Sequence, residues 1–348
     1  MTIYDELPAI YRIKRAQTDV DCIANEFYEA SLDLDPVLAT EHGRTGVETL
    51  FGDYSPAGEE AYAKLVKKTL KKLDKVIPID DTDLVTLDAM QERLTLTRQM
   101  RRAGLGRWQL NNIFSAPQQI RTSFDLMSRE NERDWAHIAG RLANVPGAID
   151  GFIQTLEAAR AEGKVSPRRQ VQIVIEQAEA YIADGGFFDA LAAEITAAAP
   201  AITEQAREGA QAAKDGYRAL ITYLRDTLLP EAPSKDAVGR ELYTLYSRES
   251  LGASIDLDET YAWGVQELER IITEQHTVAS EIEPGASIER AKELLDMDPV
   301  RALHGTEALQ EWMQTHADTA VEALAGTHFD IGGPMLNIEC RIAPTHEG

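Results

Sequence analysis

The sequence predicts a mainly α-helical protein that ends in a β-strand. Apolar residues recur at helical spacing along almost the whole chain, whereas strand-type alternation is confined to the last twenty residues. The 348 residues are 44% hydrophobic and 27% charged, which is enough apolar content to bury a large core. We therefore expect one large helical domain or two helical lobes.

Two serine-proline pairs mark predicted helix starts. At Ser55-Pro56 the serine can cap the helix, the proline occupies its first position, and acidic side chains follow in the first turn. Ser166-Pro167 has the same arrangement. Farther along, the alanine-rich segment from Ala199 to Leu229 predicts a long helix whose small side chains permit close packing. Pro230 and Pro233 are expected to end it.

The end of this long helix is the predicted domain boundary. We expect an N-terminal helical lobe over residues 1–233 and a second helical lobe over residues 234–348. In the second lobe, Asp256 and Glu259 have the spacing of a capping box. The helix that follows them carries an apolar stripe at helical spacing, which consists of Leu257, Tyr261, Val265, Leu268 and Ile272.

The charge of the chain limits its partners. A formal net charge of -23 and a pI near 4.7 argue against a nucleic-acid partner, because phosphate binding needs clustered Lys and Arg. One basic run recurs at helical spacing and is interpreted as a solvated helix face. It consists of Lys67, Lys68, Lys71, Lys72 and Lys75.

Membrane insertion and disulfide bonding are not indicated either. The chain contains no run of eighteen apolar residues, and its first residues lack a charged segment leading into an apolar one. We expect a cytoplasmic protein with no membrane partner. The two cysteines, Cys22 and Cys340, have no metal-type spacing and are expected to be small core residues.

No complete active site can be recognised from the residues. The His346-Glu347 pair begins like the zinc-peptidase motif H-E-x-x-H, but it lacks a second histidine one helical turn later. None of the seven histidines has a glutamate three residues before it, as a di-iron bundle would need. Gly-x-Ser-x-Gly and phosphate-loop motifs do not occur. We expect no catalytic residue, metal ligand or cofactor in this chain.

Four blocks of sequence, in order, resemble a bacterial family known as domain of unknown function family 885. They are LNNIFSAPQQIRTSFDLM from Leu110, SPRRQVQIVIEQAEAYI from Ser166, GRELYTLYSRESLGASIDLDETYAWGVQELERI from Gly239, and FDIGGPMLNIECRIAPTHEG from Phe329. The resemblance implies a zincin-like metallopeptidase fold, similar to thermostable carboxypeptidases and oligopeptidases, in which a helical N-terminal portion walls a substrate channel. This chain resembles that portion.

The zinc motif of the family, H-E-x-x-P-G-H-H, lies downstream of the segment that matches RIAPTHEG, so zinc is expected in a full-length relative and not here. By the same resemblance, the strand and loop at the C-terminal end border the substrate cleft. The implied cleft residues are Asn337, Glu339, Arg341, Thr345, His346 and Glu347.

Two hypotheses remain open at this stage. The chain is the truncated N-terminal part of a zinc metallopeptidase, inactive alone and partnered by a peptide substrate or a missing C-terminal half. Alternatively, it is a stand-alone helical scaffold or partner-binding protein derived from that fold. Exposed apolar surface distinguishes them, because a truncated cleft wall leaves a contiguous apolar patch that a stand-alone protein should cover.

Overall fold

A computed structural model describes residues 15–343. These residues are mainly helical, which confirms the predicted class. They form two compact units: one comprises Ala16–Ser254, and the other contains the described residues from Ile255 onward together with Arg15.

The larger unit is built from helices of very different length. They are α1 (Asp19–Leu34), α2 (Pro36–Glu41), α3 (Pro56–Leu73), α4 (Asp81–Arg102), α5 (Ala116–Thr122), α6 (Glu132–Ala161), α7 (Arg168–Ile182), α8 (Phe187–Ala198), α9 (Thr203–Tyr223) and α10 (Arg240–Leu251). A 3₁₀ turn, Pro200–Ile202, precedes α9.

Two apolar clusters hold this unit together. The larger one joins α5 to α9 and contains fully buried rings of Phe124, Phe152, Phe188 and Tyr217. The hydroxyl of Tyr217 donates a hydrogen bond to the carbonyl of Pro117 at 2.5 Å, so its one polar group is satisfied inside the core. The smaller cluster joins α1, α3 and α4 around aliphatic residues, namely Val66, Leu70, Leu73 and Leu94.

Close approach of α9 to α6 is the central packing contact of the larger cluster. A β-carbon added to Gly209 would lie 3.0 Å from Cβ of Leu142 and 3.1 Å from the carbonyl oxygen of Ala139. One added to Gly216 would lie 3.1 Å from Cα of Pro146. The predicted close packing of the alanine-rich helix is therefore confirmed, and glycine at these two positions lets the backbones meet without displacing neighbouring atoms.

Of the two serine-proline helix starts, one is capped as predicted. Ser55 accepts a hydrogen bond from the amide of Ala57 at 3.2 Å, and α3 begins at Pro56. The helix after Pro167 also forms, but Ser166 does not cap it. Its buried hydroxyl instead accepts from the amide of Leu110 at 2.9 Å, because that amide is also buried and needs a partner.

The long helix ends at Glu231, between Pro230 and Pro233, which confirms that these prolines end it. After α9 the chain continues as a π-helical segment, Leu224–Leu228, and an α-helical turn, Leu229–Glu231. The amide of Leu229 bonds back to the carbonyl of Leu224, five residues earlier. Because proline has no N–H to give, the widened turn accommodates Pro230, and the helix ends one residue later at Glu231.

The larger unit extends beyond the predicted lobe boundary at Pro233. It includes α10, which the sequence assigns to the second lobe. Arg248 of α10 donates from Nε to Glu92 Oε1 of α4 at 2.8 Å, and Arg93 donates to the carbonyl of Glu249 at 2.8 Å. The division into lobes at residue 233 stays a prediction about domains.

The smaller unit contains α11 (Leu257–Ile282), α12 (Ile288–Asp296), α13 (Thr306–Leu324) and a 3₁₀ turn over Gly333–Leu336. As predicted, Asp256 caps α11 by accepting from the amides of Asp258 and Glu259 at 2.9 and 3.1 Å. Of the described residues in this unit, only Ala279 and Ala291 are buried. The unit therefore has almost no core of its own.

The predicted terminal β-strand is absent from residues 329–343. The nearest feature is one isolated bridge between Ala325 and Phe329. Two alternating apolar side chains of this segment, Ile338 and Ile342, are 46% and 44% exposed to solvent. A strand needs a neighbouring strand for its backbone groups, and the described residues offer none, so the alternating sequence alone does not produce a ladder.

The expectation for the cysteines was also wrong in part. Cys22 is exposed because it lies on the outer face of α1, whose buried residues are Val20 and Leu32. Cys340 is half-buried.

The α6–α9 contact makes a prediction about glycine. Replacing Gly209 with leucine should lower the free energy of unfolding by about 1–3 kcal/mol, because the side chain must displace backbone atoms of α6. Gly147 in α6 is the matched control, since a β-carbon there meets nothing within 4 Å and the exposed position should gain helix propensity. Urea unfolding followed by circular dichroism measures both. Equal stability of the Gly209→Leu and Gly147→Leu variants would contradict the close packing.

Candidate functional site

The terminal segment of the described chain lies along α13 and is held by two glutamine side chains. Gln314 donates to the carbonyl of Ile338 at 2.7 Å and accepts from the amide of Cys340 at 2.9 Å. Gln310, one helical turn earlier, donates to the carbonyl of Cys340 at 2.9 Å. The carboxamides thus make the hydrogen bonds that a neighbouring strand would make.

The opposite side of this segment is a free backbone edge. Because Ile338 and Cys340 turn backbone groups toward α13, the intervening residue turns its N–H and C=O away. Within residues 15–343, no hydrogen bond reaches the backbone of Glu339 or Arg341. An exposed row of unpaired donors and acceptors of this kind is suited to pairing with an extended polypeptide.

Of the cleft residues implied by the sequence, three lie in this segment, and all are exposed. Asn337, Glu339 and Arg341 occupy alternate positions. Arg341 donates to Glu339 Oε2 at 2.7 Å. This hydrogen bond and the guanidinium charge lower the pKa of the Glu339 carboxyl group, and the same contact raises the pKa of Arg341. The pair is therefore a surface ion pair.

The other three implied residues, Thr345, His346 and Glu347, lie outside the described residues. The histidines of the smaller unit that are described do not converge. His316 stacks on Trp312 of the preceding turn, with ring centroids 4.1 Å apart, and its Nδ1 lies 2.9 Å from the Trp312 carbonyl. Across residues 15–343, no three His, Cys, Asp or Glu side chains are grouped as ligands of one ion.

An uncovered apolar face on α11 accompanies the backbone edge. The predicted stripe is helical but exposed: Tyr261 is 77% and Leu268 57% accessible. The exposed large apolar side chains of α11 are Tyr261, Trp263, Val265, Leu268, Ile271, Ile272, Val278 and Ile282, and those of α13 are Leu309, Trp312 and Met313. On α11 they cover about half of the helix circumference, which is typical of a helix packed on more than one side.

The larger unit buries a guanidinium group beside α2 and α5. Arg141 is 1% exposed and donates to the carbonyl of Ser123 at 3.2 Å and to Thr40 Oγ1 at 2.8 Å. Burial lowers the pKa of Arg141 to about 10, so the side chain stays charged at neutral pH. The guanidinium ties α6 to α2 and to the residue that follows α5.

Sequence reasoning missed Gln310 and Gln314. A signal was present, since both amides occur four residues apart on one face of a helix that also carries Trp312 and Met313. The apolar stripe of α11 was found, but its exposure could not be read from periodicity. No helix among residues 15–343 is both long and apolar enough to cross a membrane.

These features define a mainly helical protein with an extended terminal segment clamped against one of its helices. The chain belongs to the family described as bacterial proteins of unknown function (DUF885), whose family model matches residues 36–348. The match confirms the family that the four sequence blocks predicted. No curated protein matches the chain in sequence.

Two solved structures share the fold. A protein from Colwellia psychrerythraea, provisionally described as a lipoprotein, is 15% identical with a TM-score of 0.67, over 88% of this chain and 60% of that one. A protein of unknown function from Shewanella oneidensis, described in the same provisional way, is 13% identical with a TM-score of 0.60, over 95% of this chain and 66% of that one. This chain thus spans less than two thirds of the length of either.

The hydrogen bonds by which Gln310 and Gln314 hold the terminal segment, which we call the glutamine clamp, can be tested directly. A Gln314→Leu variant loses both the acceptor for the Cys340 amide and a donor to Ile338, so exchange of the Cys340 amide should speed up about five- to tenfold. The matched control is Gln310→Leu, which removes only the bond to the Cys340 carbonyl and should leave that amide bonded. Hydrogen exchange read by NMR measures both. Unchanged exchange in the Gln314→Leu variant would show that the segment is held by other contacts.

Proposed function

We propose that this chain is the N-terminal, substrate-channel portion of a zinc metallopeptidase that hydrolyses peptides, and that it is truncated and inactive alone. The observation that carries the proposal is the free backbone edge of Glu339 and Arg341 in a unit whose apolar helix faces are uncovered. Support comes also from membership of the family that the sequence blocks resemble.

The free edge fits a peptide substrate. An extended peptide can pair its N–H and C=O groups with those of Glu339 and Arg341, as an added strand pairs with a sheet edge. Because Gln310 and Gln314 hold the other side of the segment, the edge is presented without a sheet behind it. Backbone pairing accepts many side chains, which suits a peptidase of broad specificity.

The uncovered apolar faces fit a missing second portion. α11 and α13 together carry eleven large apolar side chains that are exposed. Removing these side chains from water would stabilise an assembly with further polypeptide. Both solved structures are longer than the region they share with this chain.

The described residues do not fit a zinc site. Their histidines and carboxylates are not grouped in threes, and a catalytic zinc needs three protein ligands. We therefore derive no step through zinc from these residues. In the proposed enzyme, ligands and general base come from the missing portion, and this chain contributes the edge and the walls.

A second candidate function is a stand-alone scaffold that binds a partner protein. One observation favours it: Gln310 and Gln314 already satisfy three backbone groups of the terminal segment, so this segment does not depend on a second strand to stay in place. In that case the apolar faces of α11 and α13 bind the partner.

Cellular location belongs with the proposal. The sequence suggests the cytoplasm, whereas the lipoprotein descriptions of the two similar structures favour a compartment outside it. Fractionation of cells with an antibody against this chain distinguishes the two.

The proposal predicts that the purified chain binds no stoichiometric zinc and cleaves no peptide. Elemental analysis and a fluorogenic peptide library measure this. Supplying the C-terminal portion of a longer family member in the same cell should restore both zinc binding and cleavage. One tightly bound zinc per chain without that portion would overturn the proposal, and cleavage by neither preparation would favour the scaffold.

The apolar face makes a separate prediction. The chain should enhance the fluorescence of an apolar-surface dye, and the double variant Tyr261→Ser, Leu268→Ser should lose at least half of this enhancement without a change in helicity. The matched control replaces two exposed apolar residues of the larger unit, Leu50→Ser and Leu126→Ser, and should lose little. Equal losses in both double variants would mean that α11 presents no continuous patch.

A further inference from the structure

A row of lysines follows the outer face of α3. Lys64, Lys67, Lys68, Lys71 and Lys75 are exposed and recur every three or four residues, so that they form one stripe about 16 Å long. The opposite face of α3 packs into the smaller apolar cluster, which fixes the stripe toward solvent. We call these five residues the lysine row.

The lysine row is unusual for so acidic a protein. The chain has 58 acidic and 35 basic residues, yet Asp74 is the only acidic residue between Ala61 and Ile79. Lys72, beside the row, pairs with Glu26 of α1. No carboxylate within residues 15–343 lies within ion-pair distance of a member of the row, but Glu60 is close enough for Lys64 and Lys67, and Glu26 for Lys68, to contribute to the lowered pKa of each carboxyl group. These carboxylates offset part of the positive charge, and the remainder faces solvent, where it can attract an anionic partner.

The loop after the row presents isoleucines to solvent. Ile77 is 80% and Ile79 75% exposed, and Leu84 and Val85 extend this apolar surface into the first turn of α4. We call these four residues the apolar tip. Exposed isoleucines in a flexible loop could fold back onto the protein, but this loop is anchored.

Asp83 provides the anchor. It is fully buried, accepts from the amide of Ile79 at 3.0 Å and accepts from Thr18 Oγ1 at 2.7 Å. Asp80 in turn accepts from the amide of Asp83 at 2.8 Å and caps α4. The backbone of the tip is thus fixed by a buried carboxylate, and its isoleucine side chains are held outward.

We propose that the lysine row and the apolar tip together bind the surface of an anionic phospholipid bilayer. Clustered lysines are attracted to acidic headgroups, and a few apolar side chains that enter the interface add a second, salt-insensitive contribution. Either signal alone binds weakly, and the lysine row runs along α3 toward the loop that carries the apolar tip. An acidic protein would match the lysine row but leaves the isoleucines unexplained.

The sequence predicted that the lysine run is only a solvated helix face and that the chain has no membrane partner. The proposed binding to a bilayer surface replaces both expectations. Asp81 and Asp88 of α4 are also exposed and weaken the positive field near the tip, so binding should need acidic lipid and modest ionic strength. The inference does not depend on the proposed peptidase.

Co-sedimentation of the full chain with lipid vesicles tests it. At about 0.1 M salt the chain should bind vesicles of phosphatidylcholine with about 30% phosphatidylglycerol, and it should not bind pure phosphatidylcholine. The triple variant Lys64→Glu, Lys67→Glu, Lys68→Glu should bind at least about tenfold more weakly, since each lysine near an anionic surface contributes severalfold.

A charge-matched control separates the row from net charge. Arg133→Glu, Arg207→Glu and Lys235→Glu change exposed cations elsewhere in the same unit and lower the net charge by the same amount. This variant should bind anionic vesicles within about threefold of the unmodified chain, because charges more than a Debye length from the contact are screened.

The double variant Ile77→Ser, Ile79→Ser tests the apolar tip. It should fold normally, because both side chains are exposed, and it should lose the part of vesicle binding that survives about 0.5 M salt. No binding to anionic vesicles, or equal losses in the two charge variants, overturns the proposal. Binding to polyglutamate instead of vesicles, unaffected by the isoleucine changes, overturns it in favour of an acidic protein partner.

Discussion

Close contact between α6 and α9 is the constraint on which the larger unit depends. The two backbones approach where Gly209 meets Ala139 and where Gly216 meets Pro146, and no side chain larger than hydrogen fits there without displacement. Once these helices are in place, Tyr217 reaches the Pro117 carbonyl and closes the core over α5. Small residues in α9 therefore determine how α5 to α8 can be arranged around it.

The two units differ in how they use apolar residues. The larger unit places its aromatic rings inside, and even its buried Arg141 has two hydrogen-bonded partners. The smaller unit forms regular helices with good caps but buries only two alanines among its described residues. Local signals such as the Asp256 cap suffice to make α11 a helix. Burial of its apolar stripe would need further packing partners, which residues 15–343 do not provide.

Much of the fold could be predicted from the sequence because it is encoded locally. The Ser55 cap, the Asp256 cap and the alanine-rich helix depend on neighbouring residues, and each was found. Ser166 was misjudged because its hydroxyl accepts a hydrogen bond from the distant Leu110 amide. Alternation of Ile338, Cys340 and Ile342 indicated a strand, yet a ladder depends on a second strand that alternation cannot supply. For the candidate site, the sequence indicated only the terminal segment. The two glutamines that hold this segment lie on α13 and were not predicted.

The spacing of Gln310 and Gln314 along α13 matches the repeat distance of the extended terminal segment. Four residues of helix rise about 6 Å and two residues of extended chain about 6.6 Å, so Gln310 and Gln314 meet backbone groups of alternate residues. Both glutamines bond only main-chain groups of the segment, so these hydrogen bonds depend on the main-chain repeat and not on side-chain identity. A one-residue deletion before Ile338 would turn every side chain of the segment over, whereas a two-residue deletion would restore the original facing. The hydrogen bonds to the segment are thus independent of its side-chain identities, whereas the direction in which those side chains face depends on whether the number of residues before Ile338 changes by one or by two.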